Sequence, residues 1–183
     1  MSSFLAIDFE TANYQPDSAC AVGLVRAENG RIVAEASFLI RPPTPDFFFT
    51  HIHGITWAHV EASPDFGALW PEMAPYFDGI DFLAAHNAGF DAKVLRSCCA
   101  RFSLPAPLQE FTCTVKLARG MWEIRPTKLP NVAHFLGLEL NHHDALSDSR
   151  ACANIVLAAE RDGWSFATGY DNVGERYVAI DQL

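Results

Sequence analysis

The segment Ser3-Phe-Leu-Ala-Ile-Asp-Phe9 constrains this chain more than any other, because an apolar run closes on two acids, Asp8 and Glu10. Such a run reads as a strand buried on both faces, with its polar groups gathered at the carboxyl end. Burial on both faces requires packed layers above and below a sheet, and half of the 183 residues are apolar or aromatic, enough for one substantial core.

The segments 19–26 and 31–40 are apolar-rich and flank Glu28-Asn29-Gly30, which predicts an antiparallel hairpin. Arg41-Pro-Pro-Thr-Pro-Asp46 cannot be regular structure and opens a long connection running to about His59. Ser63-Pro-Asp-Phe66 reads as a capped helix start, followed by Leu69, Trp70, Met73 and Phe77 near helical spacing. Residues 81–85 form a short apolar strand. A polar loop, His86-Asn-Ala-Gly-Phe-Asp91, leads from it into a helix carrying Val94, Leu95 and Cys98. A further strand is expected at 111–114, with helices at 115–119, 129–136 and 146–161. Together these predict an α/β fold whose mixed central sheet contains an antiparallel hairpin and is flanked by helices. One domain is expected over 1–162, followed by a tail at 163–183, where Tyr170 to Leu183 reads equally well as a strand or a dimer contact.

Charge and cysteine usage narrow the function classes. Asp and Glu number 22 against 13 Lys and Arg, a net charge of −9, which argues against holding duplex backbone by bulk electrostatics. That exclusion lapses where acids converge on divalent cations, since the ions supply the missing positive charge. The five cysteines are odd in number and never form a C-x-x-C unit, so neither a disulfide framework nor a structural zinc site is expected, and a reducing cytosol fits best. The amino terminus has no basic region before its acids, and no apolar run approaches the ~20 residues of a spanning helix. A cytoplasmic protein without a signal peptide or membrane partner is the expectation.

Asp8 and Glu10 stand two apart on a strand, so both side chains share one face and can chelate a hard cation. Two such charges repel and raise each other's pKa unless a cation, a basic partner or open water neutralises them. Asp91 follows a strand-end loop at a helix start, where it also reads as a simple partner of the helix dipole. In Asn141-His-His-Asp-Ala-Leu-Ser-Asp148, Asp148 falls in the first turn of the last helix, with Asp144 or Ser147 as its cap. A histidine in the preceding loop can take a proton from water near neutral pH. Taken singly, each cluster also reads as a solvated strand end or a capping group.

In conjunction, Asp8-Phe-Glu-Thr11, His86-Asn-Ala-Gly-Phe-Asp91 and His143-Asp-Ala-Leu-Ser-Asp148 resemble the three motifs of the DEDD exonucleases, in their histidine-bearing DEDDh, DnaQ-like branch. The likeness includes His53-Gly-Ile-Thr56 and extends to about Ala159. It implies a ribonuclease-H-like fold. It implies 3′ to 5′ removal of nucleoside monophosphates by phosphodiester hydrolysis with two divalent ions, Mg2+ or Mn2+. By that resemblance Asp8 bridges both ions, Glu10 and Asp148 complete the site that activates water, Asp91 acts through metal-bound water, and His143 is the general base, with His142 a loop residue.

The resemblance also places Phe9, Thr11, His53, Ile55, Asn87 and Phe90 at the substrate. Ile55 would wedge against the last base, and the glycine before it would permit close approach. Phe47-Phe-Phe49 offers stacking faces or core packing, and Lys116 and Arg119 are candidate phosphate contacts. Phe111-Thr-Cys-Thr-Val-Lys-Leu-Ala-Arg119 with Met121-Trp122 resembles the exonuclease X and polymerase III epsilon members, which favours single-stranded or frayed DNA ends over RNA. A homodimer or a polymerase association stays open. So do three other readings: an exoribonuclease of the oligoribonuclease type, a dinucleotide phosphodiesterase, and an inactive nucleic-acid-binding or scaffold module of the same fold.

Overall fold

A computed structural model describes residues 1–166, so the expected contact of Tyr170 to Leu183 lies outside the described residues. Three antiparallel strands open the chain: β1 (Phe4–Thr11), β2 (Ala19–Glu28) and β3 (Arg31–Leu39). The turn between β2 and β3 has positive φ at Asn29 (51°) and Gly30 (79°), the pair of left-handed residues that matches strand twist in a tight hairpin. β4 (Phe82–Ala85) and β5 (Phe111–Cys113) then add in parallel, giving the order β3-β2-β1-β4-β5. β1 is therefore the central strand, as its two-faced burial requires.

Strand alternation divides the core. Leu5, Ile7 and Phe9 point to one face, where they pack with Phe66, Leu69 and Met73 of α3 (Phe66–Met73) and with Val94, Leu95 and Cys98 of α4 (Gly89–Arg101). Phe4 and Ala6 point to the other, against α5 (Thr114–Trp122), α6 (Leu129–Leu136) and α7 (Ala145–Arg161). Asp8 and Glu10 share the parity of Phe4 and Ala6, so they extend that second face to its carboxyl edge.

The structure departs from the sequence expectations in instructive ways. β1 extends two residues past Phe9 to Thr11, and Asp8 and Glu10, expected to share one face of a strand, both lie within its paired ladder. Within the 41–59 connection, two single-turn helices form, α1 (Thr50–His53) and α2 (Trp57–Val60). The helix expected through Phe77 is α-helical only to Met73 and continues as a 3₁₀ turn over Ala74–Phe77, where Pro75 removes a donor. All five cysteines are free, and no helix among the described residues is long and apolar enough to cross a membrane.

One contact sets the position of α7. Gly23 of β2 pairs with Asp8 across the ladder, and a Cβ built on Gly23 would collide with the Ala145 carbonyl at the start of α7. Ser149 locks the same junction, its Oγ 2.8 Å from both the Gly23 and the Ala145 carbonyl oxygens. Gly23→Ala should therefore force the helix off the sheet and destabilise the fold by about 1–3 kcal/mol, read as a lowered midpoint in chemical denaturation. Gly89→Ala, where a Cβ meets nothing within 4 Å, should leave the midpoint within about 0.5 kcal/mol.

Candidate active site

The carboxyl edge of β1, the loop after β4, the loop before α7 and helix α1 enclose a cleft of about 530 Å³. Asp8 and Glu10 enter it by strand alternation. Asp148 enters from the first turn of α7, which Asp144 caps through its side chain on the Ser147 amide at 2.8 Å. One oxygen from each of Asp8, Glu10 and Asp148 lies within 4.8 Å of the others. Asp91 stands behind this group, 1% exposed, its Oδ1 accepting from the Phe9 amide at 3.0 Å, so it braces β1 rather than lining the cleft.

This arrangement is electrostatically unfavourable by itself. Burial first, then the neighbouring carboxylates, holds Asp8 well above the usual carboxylate range. Burial pushes Glu10 up to about 8, with Asp148 and Asp91 adding to the rise, and raises Asp91 to about 7. Asp148 is also raised by burial, although the His143 amide and His142 oppose the shift. Its Oδ1 is buried without a hydrogen-bond partner among the described residues, and the residue is 3% exposed. An orphaned carboxylate oxygen among repelling acids is the donor set that a hard divalent cation satisfies.

Four histidines line the cleft, and their hydrogen bonds separate them. His53 Nε2 lies 3.1 Å from the Thr11 carbonyl and its Nδ1 accepts from the Ile55 amide at 3.0 Å, so both nitrogens are committed. His86 Nε2 meets the Thr127 carbonyl at 3.1 Å and Nδ1 the Thr114 hydroxyl at 2.9 Å. Burial drops His86 to about 4, which makes it a neutral tie between α5 and the loop before α6. His142 places Nδ1 2.9 Å from Asp148 Oδ2, an oxygen that also accepts from the His143 amide at 3.1 Å. Only the His143 ring has no hydrogen bond among the described residues. Burial and the neighbouring His142 lower its pKa, so near neutral pH its ring is uncharged with a lone pair to accept a proton.

Of the residues expected at the substrate, Phe9, Thr11, His53, Asn87 and Phe90 line the cleft and Ile55 does not; Ile52 of α1 stands on the wall instead. Gly54, with φ of 74°, is the left-handed cap that ends α1, and no protein atom lies within 4 Å of a Cβ built there. Phe49 lines the cleft, while Phe48 is exposed beside Tyr14 at 6.0 Å between ring centroids. Lys116 and Arg119 are not on the wall; Lys128 is, although nothing in its local sequence pattern singles it out. His142 lies in the loop before α7, as expected, and its ring also holds Asp148.

The titration shifts carry a test. Folded Glu10 keeps its proton to about 8 whereas the unfolded chain releases it near 4.5, so the folded state binds more protons and stability falls as pH rises through that window. His86 acts in the opposite direction below about 6.5, which leaves pH 6.5 to 8 governed by the acids. In chelator, the thermal midpoint should fall across pH 6.5 to 8; Glu10→Gln or excess magnesium should flatten that fall. A level profile for the unaltered chain in chelator would refute the account.

Comparison with known proteins supplies the family. The chain matches the RNase T exonuclease family model over residues 5–156. It is 32% identical over 170 residues to exodeoxyribonuclease 10 of Escherichia coli K12, covering 87% of this chain and 70% of that protein. It is 30% identical over 160 residues to a PolC-type DNA polymerase III of Thermotoga petrophila, covering 85% of this chain and 12% of the polymerase. Across the longer curated relatives it matches, the chain spans between 11% and 26% of their length. Its fold superposes on exonuclease X in complex with 5′ overhanging duplex DNA with a TM-score of 0.73 at 28% identity, covering 93% of this chain and 99% of that one. The chain belongs to the RNase T exonuclease family, in its DnaQ-like DEDDh group, and carries that family's nuclease domain on a ribonuclease-H-like fold.

Proposed function

We propose that the chain is a 3′ to 5′ exonuclease that removes nucleoside monophosphates from single-stranded or frayed DNA ends, using two divalent ions, Mg2+ or Mn2+. The observation that carries this reading is the unpartnered His143 ring beside three converging carboxylates, one of which has a buried orphan oxygen. Asp8, Glu10 and Asp148 would hold the ions, with Asp91 acting through metal-bound water while its Oδ1 ties the Phe9 amide behind them. When bound, such ions stabilise charge on the attacking and leaving oxygens of an in-line displacement.

The remaining steps belong to the chain's own groups. His143 takes a proton from the attacking water, the water oxygen bonds to phosphorus, and the bond from phosphorus to the bridging 3′ oxygen breaks. The products are a nucleoside 5′-monophosphate and a strand shortened by one. Thr11, Phe9 and Asn87 line the end of the cleft that would receive the terminal sugar, and His53 keeps the Thr11 carbonyl in place. Lys128 supplies positive charge on a wall that the net charge of −9 otherwise leaves poor in it. DNA is favoured over RNA because a relative sharing 32% identity is named an exodeoxyribonuclease and a structural neighbour is a complex with overhanging duplex DNA.

Digestion of matched 5′-labelled single-stranded DNA and RNA with magnesium tests this. A descending ladder of labelled products, faster on DNA and abolished by EDTA and by Asp8→Ala, is the expected result. His143→Ala should slow the reaction by roughly 10²- to 10⁴-fold, the usual contribution of a positioned general base. Immediate release of a labelled mononucleotide would reverse the polarity, and no cleavage of either polymer would overturn the reading.

A further inference from the structure

Sharing Asp148 with the all-oxygen group is a second potential donor set of different chemistry. His142, His143 and Asp148 each offer one ligand atom, all within 4.8 Å of one another. Consecutive side chains on extended backbone point to opposite sides, yet these two rings stack at 3.8 Å between centroids and 22° between planes. The cause is local. Asp144 donates its amide to the Asn141 carbonyl at 3.1 Å, closing a turn over the two histidines, and His143 takes φ of 70°, a left-handed conformation rare for a residue that is not glycine. That backbone turns both imidazoles toward one buried carboxylate while leaving both rings open to solvent, so an ion reaches them without the fold opening.

We infer that His142, His143 and Asp148 form a binding site for a borderline divalent transition ion, Zn2+ in particular, whose occupancy switches off the nuclease by capturing His143. Two imidazoles and one carboxylate are a common protein ligand set for zinc, whereas magnesium selects oxygen donors and keeps its waters. Tetrahedral zinc holds its donors about 3.3 Å apart, a closure that rotation of two exposed rings supplies. Asp148 is already placed to serve: its Oδ2 meets His142 Nδ1 at 2.9 Å. The His143 lone pair then lies on the metal and accepts no proton from water. This inhibitory consequence rests on the proposed function; the metal site itself does not.

Calorimetric titration of Zn2+ into the chain without added magnesium, which would compete for the shared Asp148, reads the site without any activity measurement. One zinc per chain is expected, with affinity reduced at least tenfold in His142→Gln and unchanged in His134→Ala, which alters an exposed histidine on α6. Glutamine can still donate to Asp148 but offers no imidazole, and circular dichroism of that variant reads its fold. Absence of stoichiometric zinc, or equal affinity in folded His142→Gln, overturns the site. On a nuclease assay, the zinc concentration that halves the rate should rise at least tenfold in His142→Gln relative to the unaltered chain. Equal inhibition of both proteins overturns the capture of His143. If no substrate is cleaved, the proposed function fails while the calorimetry still decides the metal site.

Discussion

Helix α7 can lie against the sheet at the depth it does because β2 carries no side chain at Gly23, where the Ala145 carbonyl takes the space of a Cβ. Gly23 stands opposite Asp8 in the ladder, so the depth of the helix also sets how near Asp148 comes to Asp8. The Ser149 hydroxyl bonds both carbonyls at that junction and fixes the rotation of the first helical turn. Much else in the cleft follows from this contact. The loop carrying His142 and His143 must reach α7 at that depth, and the Asp144 cap must meet Ser147 there.

The site is assembled against its own electrostatics, and the rest of the fold bears the cost. Acids that repel one another are held together because β1 is gripped on both faces, by Leu5, Ile7 and Phe9 on one side and Phe4 and Ala6 on the other. Asp91 contributes in the same way: it spends one oxygen on the Phe9 amide, tying α4 to the strand between the two acids. His53 and His86 show a related use of polar side chains, since each is committed through both ring nitrogens to holding loops of the cleft wall. Polar groups that cannot act chemically thus position the ones that can.

How much of this is legible in the sequence depends on whether a feature repeats. β1 announces itself as an unbroken apolar run, the hairpin through its turn residues and the longer helices through a period near four, and the shared face of Asp8 and Glu10 follows from strand alternation. Helices α1 and α2, at four residues each, are too short for a period to register. The exchange of Ile55 for Ile52 at the wall follows from that omission, because only the turn of α1 aims Ile52 inward. Gly54 ends α1 through a left-handed backbone, a demand of handedness that a glycine in the sequence leaves open among several. The role of His142 depends on a positive φ at His143, and a non-glycine residue gives no sign of that in sequence. Lys128 reaches the wall because His86 ties the neighbouring Thr127 carbonyl across the cleft, a contact between residues 41 apart.

The ladder between β1 and β2 shifts register between Glu10 and Thr11, where Cys20 is left without a partner on β1. Up to Glu10 the side chains obey one phase, and a slip of a single residue would carry both acids to the α3 and α4 face. Past the shift, that phase no longer binds the chain. Thr11 and the loop after it answer to His53 and to the Phe48 amide on the Ala12 carbonyl at 2.7 Å instead. Of the strand, only Thr11 lies past that irregular step, paired with Ala19. A change in the length of the loop after Thr11 therefore meets that step before it reaches the acids, which the phase of β1 up to Glu10 holds on one face.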